Sequence, residues 1–150
     1  MAVGLLDLPS QGRHRGSQVG RGPNVDKHRH SWGKKCLEDY FIPNSVYSNV
    51  DFRERYRMQL HLFNKVIHDG CNYNAYFIQK CDATGVLRLL PEQKLTDVIR
   101  MLAYGSSADQ VDEIARMGKS TILESLTRFC DAIETLYTKD YLCKPTLRDL

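Results

Sequence analysis

The chain has 150 residues, of which 26% are charged and 42% hydrophobic, and its formal net charge is +3. That suits one small domain with a modest core. It excludes a helical membrane protein, because runs such as "VLRLL" at 86 to 90, broken by Arg88, fall far short of the roughly 20 apolar residues a span needs.

Charge is partitioned along the chain. Residues 11 to 35 carry Arg13, Arg15, Arg21, Lys27, Arg29, Lys34 and Lys35 against Asp26 alone, a net of +6, while residues 36 to 150 sum to −2. Residues 1 to 35 are rich in Gly, Arg, His and Ser and poor in aliphatics after Leu8. Such a segment buries too little apolar surface to offset its ordering entropy, so it reads as a disordered basic tail. Its two alternative roles are attraction to phosphate or nuclear import on one side, and a solubilising leader on the other. No basic region precedes its short apolar patch, and Asp7 breaks that patch, so a secretory signal is not expected. The five cysteines are widely spaced, without CxxC, and read as reduced thiols. His28, His30 and Cys36 match no zinc-ligand spacing, so no metal site is expected.

From residue 36 to 150 the pattern is helical and all-α. Pro43 and Asn44 mark a turn, and Asp51 reads as the N-cap of a helix through "FRERYRM". A second helix over 59 to 68 places Leu62, Phe63, Val66 and Ile67 on one face, with Gly70 as its C′ residue. Residues 73 to 93 read as irregular connection. "DATG" at 82 to 85 is a turn, and Tyr73, Tyr76 and Phe77 cover the core. Pro91 opens a helix with Leu95, Ile99 and Leu102 in register, which "YGSS" stops. Ser107 and Gln110 form a capping box that starts a short helix. Thr121 and Glu124 read as a second box, starting a long helix with the stripe Ile122, Leu126, Phe129, Ile133 and Leu136.

Short helix, glycine-containing turn "RMGK" and longer helix have the spacing of a helix-turn-helix. In DNA-binding versions the N-terminal residues of the second helix touch base edges. The DNA-contacting candidates are therefore Lys119, Ser120 and Thr121, flanked by Arg116 and Arg128. The face opposite the stripe holds Ser120, Glu124, Thr127 and Asp131. Two acids there work against a polyanion, so either weak DNA contact or docking on another protein fits.

Three stretches, "DFRERYRMQLHLFNKVI", "YFIQKCDATG" and "QKLTDVIRMLAYGSSADQVDEIARMGKSTILESLTRFCDAIETLY", and then "YLCKPTLRDL", resemble the N-terminal region of plant PIF/Harbinger transposase-derived proteins. The resemblance runs from about Asp51 to the last residue. It implies ancestry in a DDE endonuclease, whose RNase H-like domain binds two divalent metals and cuts DNA. That domain would begin where this chain stops, so the resemblance implies no nuclease activity here, no catalytic residues and no cofactor. Asp82, Asp97, Asp109, Asp112, Glu113 and Asp149 read instead as caps and solvated faces. The resemblance further implies a nuclear protein (otherwise cytoplasmic) with a Myb-like DNA-binding partner. "GKST" at 118 to 121 lacks the earlier glycine and the leading strand of a P-loop. The expected function is a transposase-derived, weakly DNA-binding helix-turn-helix module without its nuclease. The alternatives are a protein-interaction module, docking the Myb-like partner or the missing catalytic domain, and a gene fragment without function.

Overall fold

The computed structural model describes residues 27–141. Arg13, Arg15 and Arg21, together with Cys143, Pro145 and Asp149, lie outside the described residues. The fold is all-helical: α1 (Arg29–Tyr40), α2 (Asn49–Tyr56), α3 (Leu60–Tyr73), α4 (Pro91–Tyr104), α5 (Ala108–Ala115) and α6 (Lys119–Tyr141). Among the described residues there is no strand; Cys81 and Leu87 form an isolated antiparallel bridge.

Helix α4 is the axis, and all five other helices pack on it. Its start is fixed locally. Pro91 occupies the first turn, where a missing N–H costs nothing, and Gln93 Oε1 accepts from the Leu90 amide at 3.0 Å. Gly105 ends it at φ +63°, a conformation that suits a residue without Cβ. Because partners surround the first half of α4, every residue from Gln93 to Ile99 is buried. The expected stripe holds at Leu95 and Ile99 but fails at Leu102, which is 56% exposed. Packing partners converge on the first turns and leave the last one open.

Two apolar clusters result. The larger joins Tyr40, Phe52, Tyr56, Phe63 and Phe77 to Leu95, Val98, Ile99 and Phe129, with ring pairs such as Phe52–Phe63 at 5.3 Å in edge geometry. The smaller holds Leu89, Ala108, Val111, Ala115, Met117 and Ile122.

Several local expectations are corrected. The folded part starts earlier than residue 36. Lys34 and Lys35 lie within α1 and Arg29 begins it, and Lys27 Nζ binds Asp112 Oδ1 at 2.5 Å and the Met117 carbonyl at 3.1 Å. Helix α1 buries only Gly33 and Tyr40, so apolar periodicity never announces it. Asp51 stands at the third position of α2; Ser48 is the N-cap, its Oγ accepting from the Asp51 amide while Asp51 accepts from the Ser48 amide. Helix α3 runs past Gly70 to Tyr73. Gly70 is buried beside Phe77, where a Cβ would make only an ordinary contact with that ring, at 3.9 Å. On α3, Phe63 and Val66 are buried, whereas Leu62 is 44% exposed. Phe77 is in the core as expected, but Tyr73 is half-exposed and donates to Asp131 Oδ2 of α6 at 3.1 Å. The "DATG" turn forms: Asp82 Oδ1 accepts from the Thr84 and Val86 amides, and Gly85 adopts φ +81°.

Candidate nucleic-acid interface

Helix α5 is set by the expected capping box. Ser107 Oγ accepts from the Gln110 amide at 3.3 Å, and Gln110 Oε1 accepts from the Ser107 amide at 3.0 Å. The turn to α6 is three residues, Arg116 to Gly118. Its left-handed residue is Arg116 at φ 56°, not the glycine. Met117 drops its whole side chain into the smaller cluster, which anchors the turn.

Helix α6 begins at Lys119, and the Gly118 carbonyl accepts from the amides of Thr121 and Ile122. Thr121 and Glu124 therefore do not form the expected second box. Thr121 is already inside the helix, where its carbonyl accepts from Ser125 Oγ at 2.7 Å, and Glu124 is engaged by Arg128. The buried side of α6 is Ile122, Ser125, Phe129 and Ala132. Leu126, Ile133 and Leu136 flank it half-buried, so the axis of the expected stripe is rotated towards the small residues. Ser125 is tolerated in the core because Tyr76 Oη lies 2.9 Å from its hydroxyl. Ser120, Glu124, Thr127 and Asp131 form the outward side and all four are exposed.

Arg116, Lys119, Ser120 and Thr121 come together around one turn, Arg128 stands more than two turns further along α6, and the three charges among the five are already engaged. Lys119 Nζ binds Asp109 Oδ2 at 2.9 Å. Arg128 binds Glu124 at 2.9 Å and lies 4.7 Å from the Tyr76 ring. Arg116 stands 5.8 Å from the Trp32 ring. Ser120 is exposed, and Thr121 is half-buried. Surface pairs of this kind are weak and reversible, so a phosphate can compete for these cations without a structural change. Of the expected tail cations described, Lys27 is held by Asp112, Lys34 pairs with Glu38 at 3.7 Å, and Lys35 lies 5.2 Å from the Trp32 ring.

Among the described residues no three His, Cys, Asp or Glu side chains converge as metal ligands. Of the acids expected on caps and solvated faces, Asp97 is instead buried, 5% exposed, with Arg100 Nη1 3.9 Å away. Burial pushes its carboxyl up to about 7. Nor does the sequence reveal the cationic side of the 80–94 segment. Lys80 and Arg88 lie close enough to Lys94 to disfavour its charge, and Lys94 packs over the Tyr76 ring. The signal is present only as isolated basic residues in an irregular stretch, whose spatial closeness depends on the turn.

The family model of a domain of unknown function (DUF8418) matches residues 34–70. The matched segment runs from the second turn of α1 into α3 and includes Tyr40, Phe52, Tyr56 and Phe63 of the aromatic cluster. No curated protein and no solved structure matches the chain. Among the described residues no helix is long and apolar enough to cross a membrane.

Proposed function

We propose that this chain is a transposase-derived module that contacts duplex DNA weakly and with little sequence preference, in the nucleus. The observation that supports it is the α5–α6 turn. A tight three-residue connection presents Lys119 and Ser120 on the exposed first turn of α6, where hydroxyls, an ammonium and helix N-terminal amides suit phosphate oxygens. The local pairs of Lys119 and Arg128 limit the affinity, and Arg13, Arg15 and Arg21 add a sequence-independent contribution. A second reading, docking of a partner protein such as the Myb-like one that the resemblance implies, is favoured by the exposed carboxylates Glu124 and Asp131.

One anisotropy experiment with a labelled duplex separates the two. At ~50 mM salt the full chain binds in the micromolar range and at ~200 mM it largely lets go, as counterion release requires. Replacing Arg13, Arg15 and Arg21 together by Ala weakens binding; these substitutions leave α1 whole, which removal of residues 1 to 35 would cut. Glu124→Gln with Asp131→Asn tightens binding if this side of α6 lies on DNA, and leaves it unchanged if it faces a protein. No binding to any duplex at the lower salt sinks the DNA reading.

A further inference from the structure

Beside the first turns of α6 lies a groove of about 950 Å³, lined on one side by the 82–89 turn and on the other by Thr121 and Glu124. Its volume lies at the upper end of the roughly 300–1,000 Å³ of ligand-binding clefts. Four cations line it: Lys27, Arg29, Arg88 and Lys94. Its two carboxylates are already engaged. Asp82 Oδ1 takes three donors of its own turn, and Glu124 holds Arg128. Arg29 and Arg88 are exposed and make no ion pair among the described residues.

Lys94 is the informative group. It is 6% exposed, yet its ammonium meets only neutral partners, the Tyr76 carbonyl at 2.6 Å and the Tyr76 ring at 4.5 Å. Burial pulls its pKa below the usual lysine value, the cations Arg88 and Lys80 add to this, and the Glu124 carboxylate across the groove opposes it. An ammonium that has lost most of its water with no carboxylate in direct contact is a standing cost that an anionic ligand relieves. The rim is apolar as well: Val86 is 60% and Leu87 47% exposed.

The geometry points to a docking groove for an extended acidic segment of a partner protein, its carboxylates meeting Lys94, Arg29 and Arg88 and its apolar side chains covering Val86 and Leu87. Charge complementarity selects the acids. The apolar rim favours a peptide over a duplex, whose outer phosphate backbone offers nothing to Val86 and Leu87; the oligothymidylate probe tests whether unpaired bases can. The groove borders the outward side of α6 and shares Glu124 with it.

The test uses the full chain and a fluorescein-labelled synthetic peptide alternating Glu and Leu, read by anisotropy. The same peptide with Gln for Glu is the charge control, and a labelled oligothymidylate is the nucleic-acid probe. The Glu/Leu peptide binds and the Gln/Leu peptide does not. Arg88→Glu and Arg29→Glu each weaken binding about tenfold or more, while Arg53→Glu, an exposed cation of α2 that does not line the groove, leaves it unchanged. Circular dichroism confirms that these surface variants fold. The proposal is overturned by absence of peptide binding, by an equal loss in Arg53→Glu, which makes the effect one of net charge, or by oligothymidylate binding that responds to the same variants more strongly than the peptide does.

Discussion

Asp97 is enclosed by α1, α2 and α4, and its nearest cation, Arg100, is shared with the Tyr56 hydroxyl, to which it donates at 3.1 Å. Burial therefore outweighs the guanidinium and holds the carboxyl proton up to about pH 7. The unfolded chain ionises Asp97 near its ordinary value of 3.8. Between these two values the unfolded state holds fewer protons than the folded state, so stability falls as pH rises. The contribution is fully present below about pH 4 and is lost through pH 7, an effect on the order of a few kcal/mol. Asp97→Asn flattens this slope and raises the melting temperature at pH 8 relative to the parent chain; parallel melting curves across pH for both proteins would refute it. No local signal foretells this burial. Asp97 precedes Val98 and Ile99 in an amphipathic pattern and looks solvated, and only the arrival of helices on every side of α4 encloses it. The Ser107–Gln110 box, by contrast, is legible because both partners lie within four residues and answer to backbone geometry alone.

At the scale of elements, α1 depends on a side chain that is missing. A Cβ built on Gly33 falls 2.6 Å from Gln93 Oε1, and Gln93 is not free to yield. It accepts from the Leu90 amide and donates to the Arg29 carbonyl at 3.1 Å, tying the start of α4 to the start of α1. On an exposed helix, Gly→Ala stabilises by about 1 kcal/mol. Here the sign reverses: Gly33→Ala destabilises by about 1–2 kcal/mol because those partly buried hydrogen bonds are disturbed. The Gly33→Ala/Gln93→Ala double variant recovers part of the loss, and denaturant unfolding of the three proteins measures the coupling. The helices visible in the sequence are α2, through its capping signal, and those with continuous apolar faces, α4 to α6 and the middle of α3. The ends that sequence misplaces are those governed by tertiary contact. Gly70 suggests a stop, but Phe77 packs over it and α3 continues. Thr121 and Glu124 suggest a start at residue 122, but the anchoring of Met117 begins α6 at Lys119, three residues earlier. Of the candidate interface, the residue types and their proximity are legible. Their pairing with Asp109, Glu124 and Trp32 is not, because two of these partners sit on other helices.

For the whole molecule, α4 joins two clusters of unequal size, ten buried side chains against six. Two of the smaller cluster's members are alanines, and α5, the helix resting on it, has only eight residues. Local opening follows the least buried apolar surface, so the amides of α5 exchange with deuterium before those of α3 and α4. Ser107→Ala, which removes about 1 kcal/mol of capping, speeds α5 exchange further and leaves α3 unaffected. Equal protection of α5 and α4 in hydrogen-exchange mass spectrometry counts against this. The Lys27 ammonium, clamped between Asp112 and the Met117 carbonyl, has a practical consequence for anyone handling the protein. Residue 27 itself sits at the α5–α6 turn, so a fluorophore coupled at that position crowds the surface under test. Tyr141, exposed at the far end of α6, lies roughly 35 Å from that turn, at 1.5 Å for each of the helix's 23 residues, which makes it the neutral position for such a label.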